Sequence, residues 1–325
     1  MKEKITIKDV AKYANVSVAT VSRVMNNKGY VYEDTRRTVL KAIEELNFEP
    51  NLLARSLTNR HTDMIGVIVP HLGTNFYGKL IDGIEEKALE NHLKTMIFNV
   101  QNNEEREREY IKIIEQYNIE GLIVASNCYH PEDILALNLP VVSVDHTLNE
   151  ETPSVSSNNF DGGKLTALKF KDSGCKNILL LRGPSFLLTQ KERSDGFLSV
   201  FEGDNSVHIS TIDSDLLNPY VDKIDEFISN NPVDAIFAFS DTLALAAMNS
   251  LARHNKKIPE DVQIIGFDND AFTNWTTPAI TTVSQSIEKI GNIALETLHK
   301  LITDEEVSEK HVKVDVTMIE RQTTK

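Results

Sequence analysis

The sequence predicts an α/β protein in which an N-terminal all-α helix-turn-helix domain precedes a two-lobed core of doubly wound parallel sheets. Two short helical patterns lie almost end to end in the first 26 residues, and from Met64 onward apolar runs alternate with amphipathic helical stretches. The charge also changes sign: residues 1–60 hold 11 Lys/Arg and 7 Asp/Glu, whereas the remainder holds 23 and 41. These observations indicate two regions with different folds and different surroundings.

The first two helices lie within residues 6–26, which read TIKDVAKYANVSVATVSRVMN. Thr6 is placed to cap the first helix, with Asp9 in the capping-box position three residues later. Ser17 is placed to cap the second. The apolar positions of that second helix recur every three residues, at Val18, Val21 and Val24. Only residues 15–16 separate the two patterns, which predicts a sharp helix-turn-helix.

The second helix presents a polar row to solvent. Its members are Ser17, Thr20, Ser22, Arg23 and Asn26. A basic head with such a row is typical of a helix that lies in the major groove of DNA, while an acidic remainder stays away from phosphates. The alternative is a solvated face on an unrelated helical domain.

A third helix is predicted over about 33–46, because its apolar residues recur at helical spacing and Pro50 stops the pattern. Residues 51–58, NLLARSLT, have helix-forming character but no large apolar face. An isolated helix of that length is marginal, so we expect the segment to fold only when it docks. We therefore place the helix-turn-helix domain at 1–50 and a hinge helix with its linker at 51–62.

The core is predicted from continuous apolar strands that alternate with helices. The predicted strands are 65–69, 95–99, 121–125, 141–145, 178–181, 207–212, 235–239 and 263–267. The helices between them include 79–91, 104–118, 162–172 and 242–254. Such strands are typical of parallel sheets covered on both faces. Eight strands are more than we expect in a single sheet. Two similar lobes are therefore expected.

Polar residues follow several of these strands at their carboxyl ends, where ligands bind in open parallel sheets. They are Ser126, Asn127, Asp145, His146, Ser240, Asp241, Asp268, Asn269 and Asp270. With Phe76, Tyr77 and Trp275 nearby, a cleft of carboxylates and amides suits a sugar. The competing interpretation is that such residues cap the next helix, as Asp241 could. Catalysis is not expected, because Asp145 and His146 as strand neighbours should point to opposite sides.

Composition limits the remaining possibilities. No apolar run reaches the length of a membrane span, and the N-terminus lacks a signal-peptide core, so we expect a cytoplasmic protein with no membrane partner. Cys128 with His130 is weak evidence for a metal, and no metal or cofactor is expected. The charged run 104–109 is interpreted as a solvated helix face with i to i+4 pairs.

Motifs along nearly the whole chain resemble the lac-repressor family of bacterial transcription regulators, which includes the purine repressors. They are TIKDVAKYANVSVATVSRVMN, FEPNLLARSL, IGVIVP, SNNFDGG, RSDGF, FAFSD, IIGFDND, TPAITTVSQ and IERQT. The resemblance implies a homodimer on a palindromic double-stranded DNA operator. It also implies a periplasmic-binding-protein-like core at 63–325 that binds effector and dimerises. Its first lobe would comprise about 63–158 plus 287–314, and its second about 159–286 plus 315–325.

By this resemblance, Val18, Ala19 and Arg23 read bases. Ser17, Thr20, Ser22 and Asn26 hold phosphates, and Thr6 and Asn51 complete the head's DNA-binding set. Ala54, Arg55 and Leu57 belong to the hinge helix, with Leu57 as a wedge in the minor groove. Ordinary helix packing of Leu57 is the competing view.

The resemblance places Phe76 and Tyr77 on one wall of the effector site. Asp145, Arg193 and Asp268 would be its main polar contacts, with Asn127 and Ser240 as further candidates. Arg193 could instead form a structural ion pair. The family often has Asp-Arg at 145–146 and Asp-Asn at 158–159, where this chain has Asp-His and Asn-Asn.

The narrower resemblance is to Gram-positive sucrose-operon repressors, on NFYGKLIDGIE and NNEEREREYI. It implies a small sugar or sugar phosphate as effector, such as one of the sucrose or fructose type. The first alternative is a global regulator of the same build whose co-effector is a phosphorylated carrier protein. The second is an exported sugar-binding protein, which the basic head and the absent signal peptide disfavour.

Overall fold

The computed structural model describes residues 5–26, 29–48, 62–125, 128–184, 187–213 and 221–325. The chain divides into two compact units, residues 1–62 and 63–325. None of the described helices is long and apolar enough to cross a membrane.

The described part of the first unit contains three helices, α1 (Ile7–Tyr13), α2 (Val18–Asn26) and α3 (Glu33–Glu45). Residues from all three form one small core, with Val10, Val21 and Val39 fully buried. The turn between α1 and α2 is sharp because Asn15 adopts a left-handed φ of 50°, which asparagine tolerates better than most residues. Val18, predicted on the apolar side of α2, is instead 41% exposed.

The second unit contains two six-stranded sheets. Their strands are β1 (Met64–Val69), β2 (Lys94–Asn99), β3 (Gly121–Val124), β4 (Val141–Val144), β5 (Ser154–Ser157), β6 (Asn177–Arg182), β7 (His208–Asp213), β8 (Ala235–Ala238), β9 (Gln263–Phe267), β10 (Thr281–Ser284), β11 (His311–Val314) and β12 (Thr317–Ile319). The first sheet has the order β11-β5-β4-β3-β1-β2 and the second β12-β10-β9-β8-β6-β7. All described pairings are parallel except that of β10 with β12.

Helices cover both sheets, as the apolar strands predicted. They are α4 (Asn75–Glu90), α5 (Glu104–Gln116), α6 (Pro131–Ala136), α7 (Asn159–Asp172), α8 (Leu188–Ser199), α9 (Val221–Asn230), α10 (Asp241–Arg253) and α11 (Ile287–Ile302), with a 3-10 turn at Ala271–Asn274. The prediction that two parallel-sheet lobes follow a helical head in the chain is confirmed. It missed β5, β10, β11 and β12, because these short strands read SVSS, TTVS, HVKV and TMI and lack a continuous apolar run.

The described chain passes between the two sheets three times, after β5, after β10 and after β11. In the second lobe, α7 and α8 pack closely against each other at glycine residues. A Cβ on Gly163 would lie 2.0 Å from the Arg193 carbonyl oxygen, and one on Gly196 would lie 1.9 Å from the Phe160 carbonyl oxygen. The glycines of SNNFDGG and RSDGF therefore allow backbone contact between two helices.

Candidate functional site

The exposed face of α2 carries the predicted base-reading residues. Ala19 and Arg23 are exposed, and Val18 joins them at 41% exposure. The hydroxyl of Ser17 accepts a hydrogen bond from the Thr20 backbone N–H at 3.1 Å, which confirms the predicted cap. An Arg beside small apolar side chains can pair with a guanine and contact thymine methyls.

The rest of the predicted DNA-binding set is only partly described. Thr6 is exposed; its backbone N–H and its hydroxyl donate to Asp9 Oδ2 at 2.8 and 2.6 Å. Ser22 is half-buried, and Asn26 ends α2. Five predicted site residues lie outside the described residues: Asn51, Ala54, Arg55, Leu57 and Asn127.

The second unit contains a cavity of about 370 Å³. Its walls come from the ends of β1, β3 and β4, from α4 and from the first turn of α8. Of the predicted effector residues, Tyr77 and Asp145 line it; Phe76, Arg193, Ser240 and Asp268 are not part of its lining. Phe76 supports the wall indirectly, since its ring meets the Tyr77 ring edge-on at 5.1 Å.

Asp145 and His146 both line this cavity. The expectation that they point to opposite sides was wrong, because β4 ends at Val144 and Asp145 has a left-handed φ of 61°, which breaks the strand alternation. Burial raises the pKa of Asp145 to about 6, although Arg193 and the Ser157 backbone N–H oppose that rise. Burial and the neighbouring carboxylates also raise the pKa of Tyr77.

Two cavity histidines are held in defined tautomers. The Nδ1 of His146 lies 2.9 Å from the Val144 carbonyl oxygen and must donate to it. The Nδ1 of His71 accepts from the Gly73 N–H at 3.3 Å. Burial lowers the pKa of both rings, which favours their neutral forms. His71 was not predicted; its position directly after β1 is the signal that could have found it.

Arg193 lies on α8 and is 5% exposed. Its guanidinium donates to the Asn159 side chain at 2.8 Å, to the Phe239 carbonyl and to Gln285 at 3.4 Å, and it stacks on the Phe267 ring at 3.7 Å. Three of its five N–H donors therefore have partners within the protein.

Asp268 and Ser240 each have a hydrogen-bond partner within the protein. Asp268 follows β9, and its carboxylate accepts from the Gln285 amide; burial raises its pKa well above the ordinary value. Ser240 caps α10, since its hydroxyl accepts from the Leu243 N–H at 3.2 Å. Asp241, predicted as that cap, is instead fully buried and accepts from the Thr282 hydroxyl at 2.6 Å.

Glu107 corrects the interpretation of the charged run 104–109 as a solvated face. Its side chain is fully buried, and Oε1 accepts from the backbone N–H groups of Tyr129 and His130 at 2.8 and 2.9 Å. The Sγ of Cys128 lies 3.7 Å from the same oxygen. Among the described residues, no group of three His, Cys, Asp or Glu side chains could hold a metal ion.

Asp145→Asn should change the pH dependence of stability. Because the folded pKa of Asp145 is raised to about 6, the native state binds more protons than the unfolded state above pH 4, and stability falls as pH rises through 6. The variant lacks this loss, so its unfolding free energy relative to wild type should rise from pH 4 to 7 by at most about 3 kcal/mol. Urea denaturation at each pH measures this; a constant difference would contradict a raised pKa.

Known proteins resemble the chain along almost its whole length. The family model described as "Bacterial regulatory proteins, lacI family" matches residues 6–51, and "Periplasmic binding protein-like domain" matches residues 167–324. The ribose operon repressor of Bacillus subtilis is 35% identical over 323 residues, 98% of each chain. The sucrose operon repressor of Streptococcus mutans is 33% identical over 318 residues, 96% of this chain and 97% of that one.

A crystal structure of the lac repressor dimer, bound to operator and the anti-inducer ONPF, matches with a TM-score of 0.90. It covers 99% of each chain at 24% identity, which establishes a shared fold. The resemblance found in the sequence motifs is thereby confirmed, including the similarity to sucrose-operon repressors. Since two repressors share about a third of their residues with it over nearly their full lengths, this chain belongs to the LacI family of bacterial regulatory proteins and is a DNA-binding transcriptional repressor.

Proposed function

We propose that this repressor controls a carbohydrate-utilisation operon and leaves a palindromic operator when a small sugar or sugar phosphate binds. The observation that carries the proposal is the cavity of about 370 Å³ walled by Tyr77, Asp145 and His146. This volume is in the range of small-molecule sites, and an aromatic ring beside oxygen and nitrogen acceptors suits a polyhydroxy ring. The names of the ribose and sucrose operon repressors support the same ligand class.

On the DNA side, we propose a homodimer whose two heads occupy the two operator halves. The matching lac repressor structure is a dimer bound to operator, which supports this proposal. Val18, Ala19 and Arg23 would read bases. Residues 51–62 would form the hinge, with Leu57 as the minor-groove wedge. The sugar must bind the DNA-competent and DNA-released forms with different affinities, because equal affinity would shift no population.

The test is to select binding duplexes from a random pool with the full chain, and then to measure their affinity with and without ribose, fructose, sucrose and their monophosphates. The expected result is a symmetric consensus, with affinity lowered at least about tenfold by one of these sugars. A failure to prefer any symmetric duplex at moderate salt would contradict operator binding. An unchanged affinity with every sugar would contradict the effector.

Arg23→Ala should weaken binding to the selected operator by about 10- to 100-fold, because a bidentate arginine–guanine contact is lost. Fluorescence anisotropy with operator and scrambled duplex measures the ratio. Lys41→Ala is the matched control, since it removes one positive charge from α3 that pairs with Glu45 at 3.8 Å. Equal losses on both duplexes for Arg23→Ala would assign that side chain to phosphate rather than to base contact.

A further inference from the structure

Two hydrogen-bond acceptors without a partner indicate whether the cavity binds a neutral sugar or a sugar phosphate. This inference rests on the proposed function. The atoms are Asp145 Oδ1 and His146 Nε2. Both are buried, and neither has a hydrogen-bond partner among the described residues. A buried acceptor without a partner is unfavourable, so a ligand that supplies donors to these atoms gains affinity.

The imidazole of His146 offers an acceptor and no free donor. Its Nδ1–H is used by the Val144 carbonyl, and the buried ring favours the neutral form, so Nε2 carries a lone pair. The ionised carboxylate of Asp145 likewise only accepts. A hydroxyl group donates to such atoms, whereas a phosphate dianion offers only acceptor oxygens.

The described lining of the cavity supplies no side-chain cation to hold a phosphate. Among the described lining residues there is no Lys or Arg, and Asp145 is the one acidic side chain. His71 is favoured in its neutral form. The two short gaps in the description of this part of the chain, 126–127 and 185–186, hold Ser, Asn, Ser and Phe in the sequence. Arg193, the buried arginine behind Asp145, already donates to Asn159, Phe239 and Gln285.

One feature of the cavity favours an anion. Leu187, Leu188 and Thr189, at the start of α8, line it, and helix N-termini attract negative charge. That attraction is weak at an exposed site. The Asp145 carboxylate opposes it in the same cavity, and the N–H groups of a first helical turn serve equally well as donors to sugar oxygens.

We propose that this cavity selects an unphosphorylated sugar, and that His146 is the specificity-determining residue, accepting a ring hydroxyl through Nε2. Asp145 accepts a second hydroxyl. The start of α8 donates to the oxygens on the opposite side of the sugar. A phosphate ester would set its oxygens against these two acceptors, one of which belongs to a carboxylate, and the cavity selects against it.

The test is isothermal titration of the full chain with matched pairs: ribose and ribose 5-phosphate, fructose and fructose 6-phosphate, sucrose and sucrose 6-phosphate. The expected result is one neutral sugar that binds at least about 100-fold more tightly than its ester. An ester that binds as well or better overturns the selection of neutral sugar and leaves the sugar effector in place. Absence of binding by all six at 10 mM, about the weakest affinity titration resolves, overturns the proposed function as well.

Two variants test His146 itself. His146→Ala removes the acceptor without adding bulk and should weaken the neutral sugar about tenfold while leaving the ester unchanged. His146→Arg adds donors and a positive charge, and should lower the ratio of the affinity for the neutral sugar to the affinity for its ester by at least about tenfold. His208→Ala and His208→Arg, at an exposed position on β7, are the matched controls. If the affinity ratios of the His146 variants stay at the wild-type value, His146 does not determine the specificity for the neutral sugar.

Discussion

Arg193→Ala is expected to lower the free energy of unfolding of the 63–325 unit by about 3–5 kcal/mol, the usual cost of removing one member of a buried charged network. The side chain is 5% exposed, donates to Asn159, Phe239 and Gln285, and stacks on Phe267. Its charge also lowers the pKa values of Asp145 and Asp268, against the effect of their burial. Without it, two buried carboxyl groups lose their compensating charge.

Urea denaturation of the full chain measures this effect. Arg253→Ala is the control, because Arg253 pairs with Asp225 at 2.8 Å with its side chain 48% exposed, and such pairs contribute about 1 kcal/mol or less. The same variant separates the two roles considered for Arg193. A loss of sugar response with a stability change below about 1 kcal/mol would favour ligand contact over a structural network.

Gly163→Ala and Gly196→Ala should each lower the free energy of unfolding by about 3 kcal/mol. The added methyl group would lie 2.0 Å from the Arg193 carbonyl oxygen in the first variant and 1.9 Å from the Phe160 carbonyl oxygen in the second. Backbone atoms cannot move aside as a flexible side chain does, so α7 and α8 must separate. That separation also displaces Arg193 and Asn159, which lie on these helices.

Gly78→Ala provides the control for both glycine variants. Gly78 lies inside α4, and no heavy atom lies within 4 Å of its added Cβ. Alanine has the higher helix propensity, so this variant should gain up to about 1 kcal/mol. Thermal and urea unfolding would show the contrast. Losses below about 0.5 kcal/mol at Gly163 and Gly196 would contradict the close helix contact.

The helical head and the apolar strands could be predicted from the sequence because local patterns determine them. The cap at Ser17 and the strand at Gln263–Phe267 were predicted correctly from adjacent residues alone. The strands at Ser154–Ser157 and Thr281–Ser284 were missed, since polar residues dominate them and their pairing depends on strands distant in the chain. Tertiary context decides such segments.

The candidate site was less predictable for the same reason. Glu107 lies in a charged run whose composition predicts a solvated face. Its side chain is nevertheless buried, and it accepts hydrogen bonds from backbone N–H groups distant in the sequence. The left-handed turn at Asp145 brings His146 to the same cavity, and no period in the sequence marks that turn. Residue types at strand ends indicated the region. Which of them reach the cavity depends on single backbone angles and on partners such as Gln285.

The final passage of the chain from one sheet to the other governs how the protein can be made. β11 adds in parallel to the edge of the first sheet beside β5, and β12 adds to the second beside β10. Residues 311–319 must therefore be synthesised before both sheets can gain these strands. Premature termination near residue 310 would leave β5 and β10 without these edge partners, one in each lobe. Such products should aggregate or be degraded rather than persist as partly active regulators.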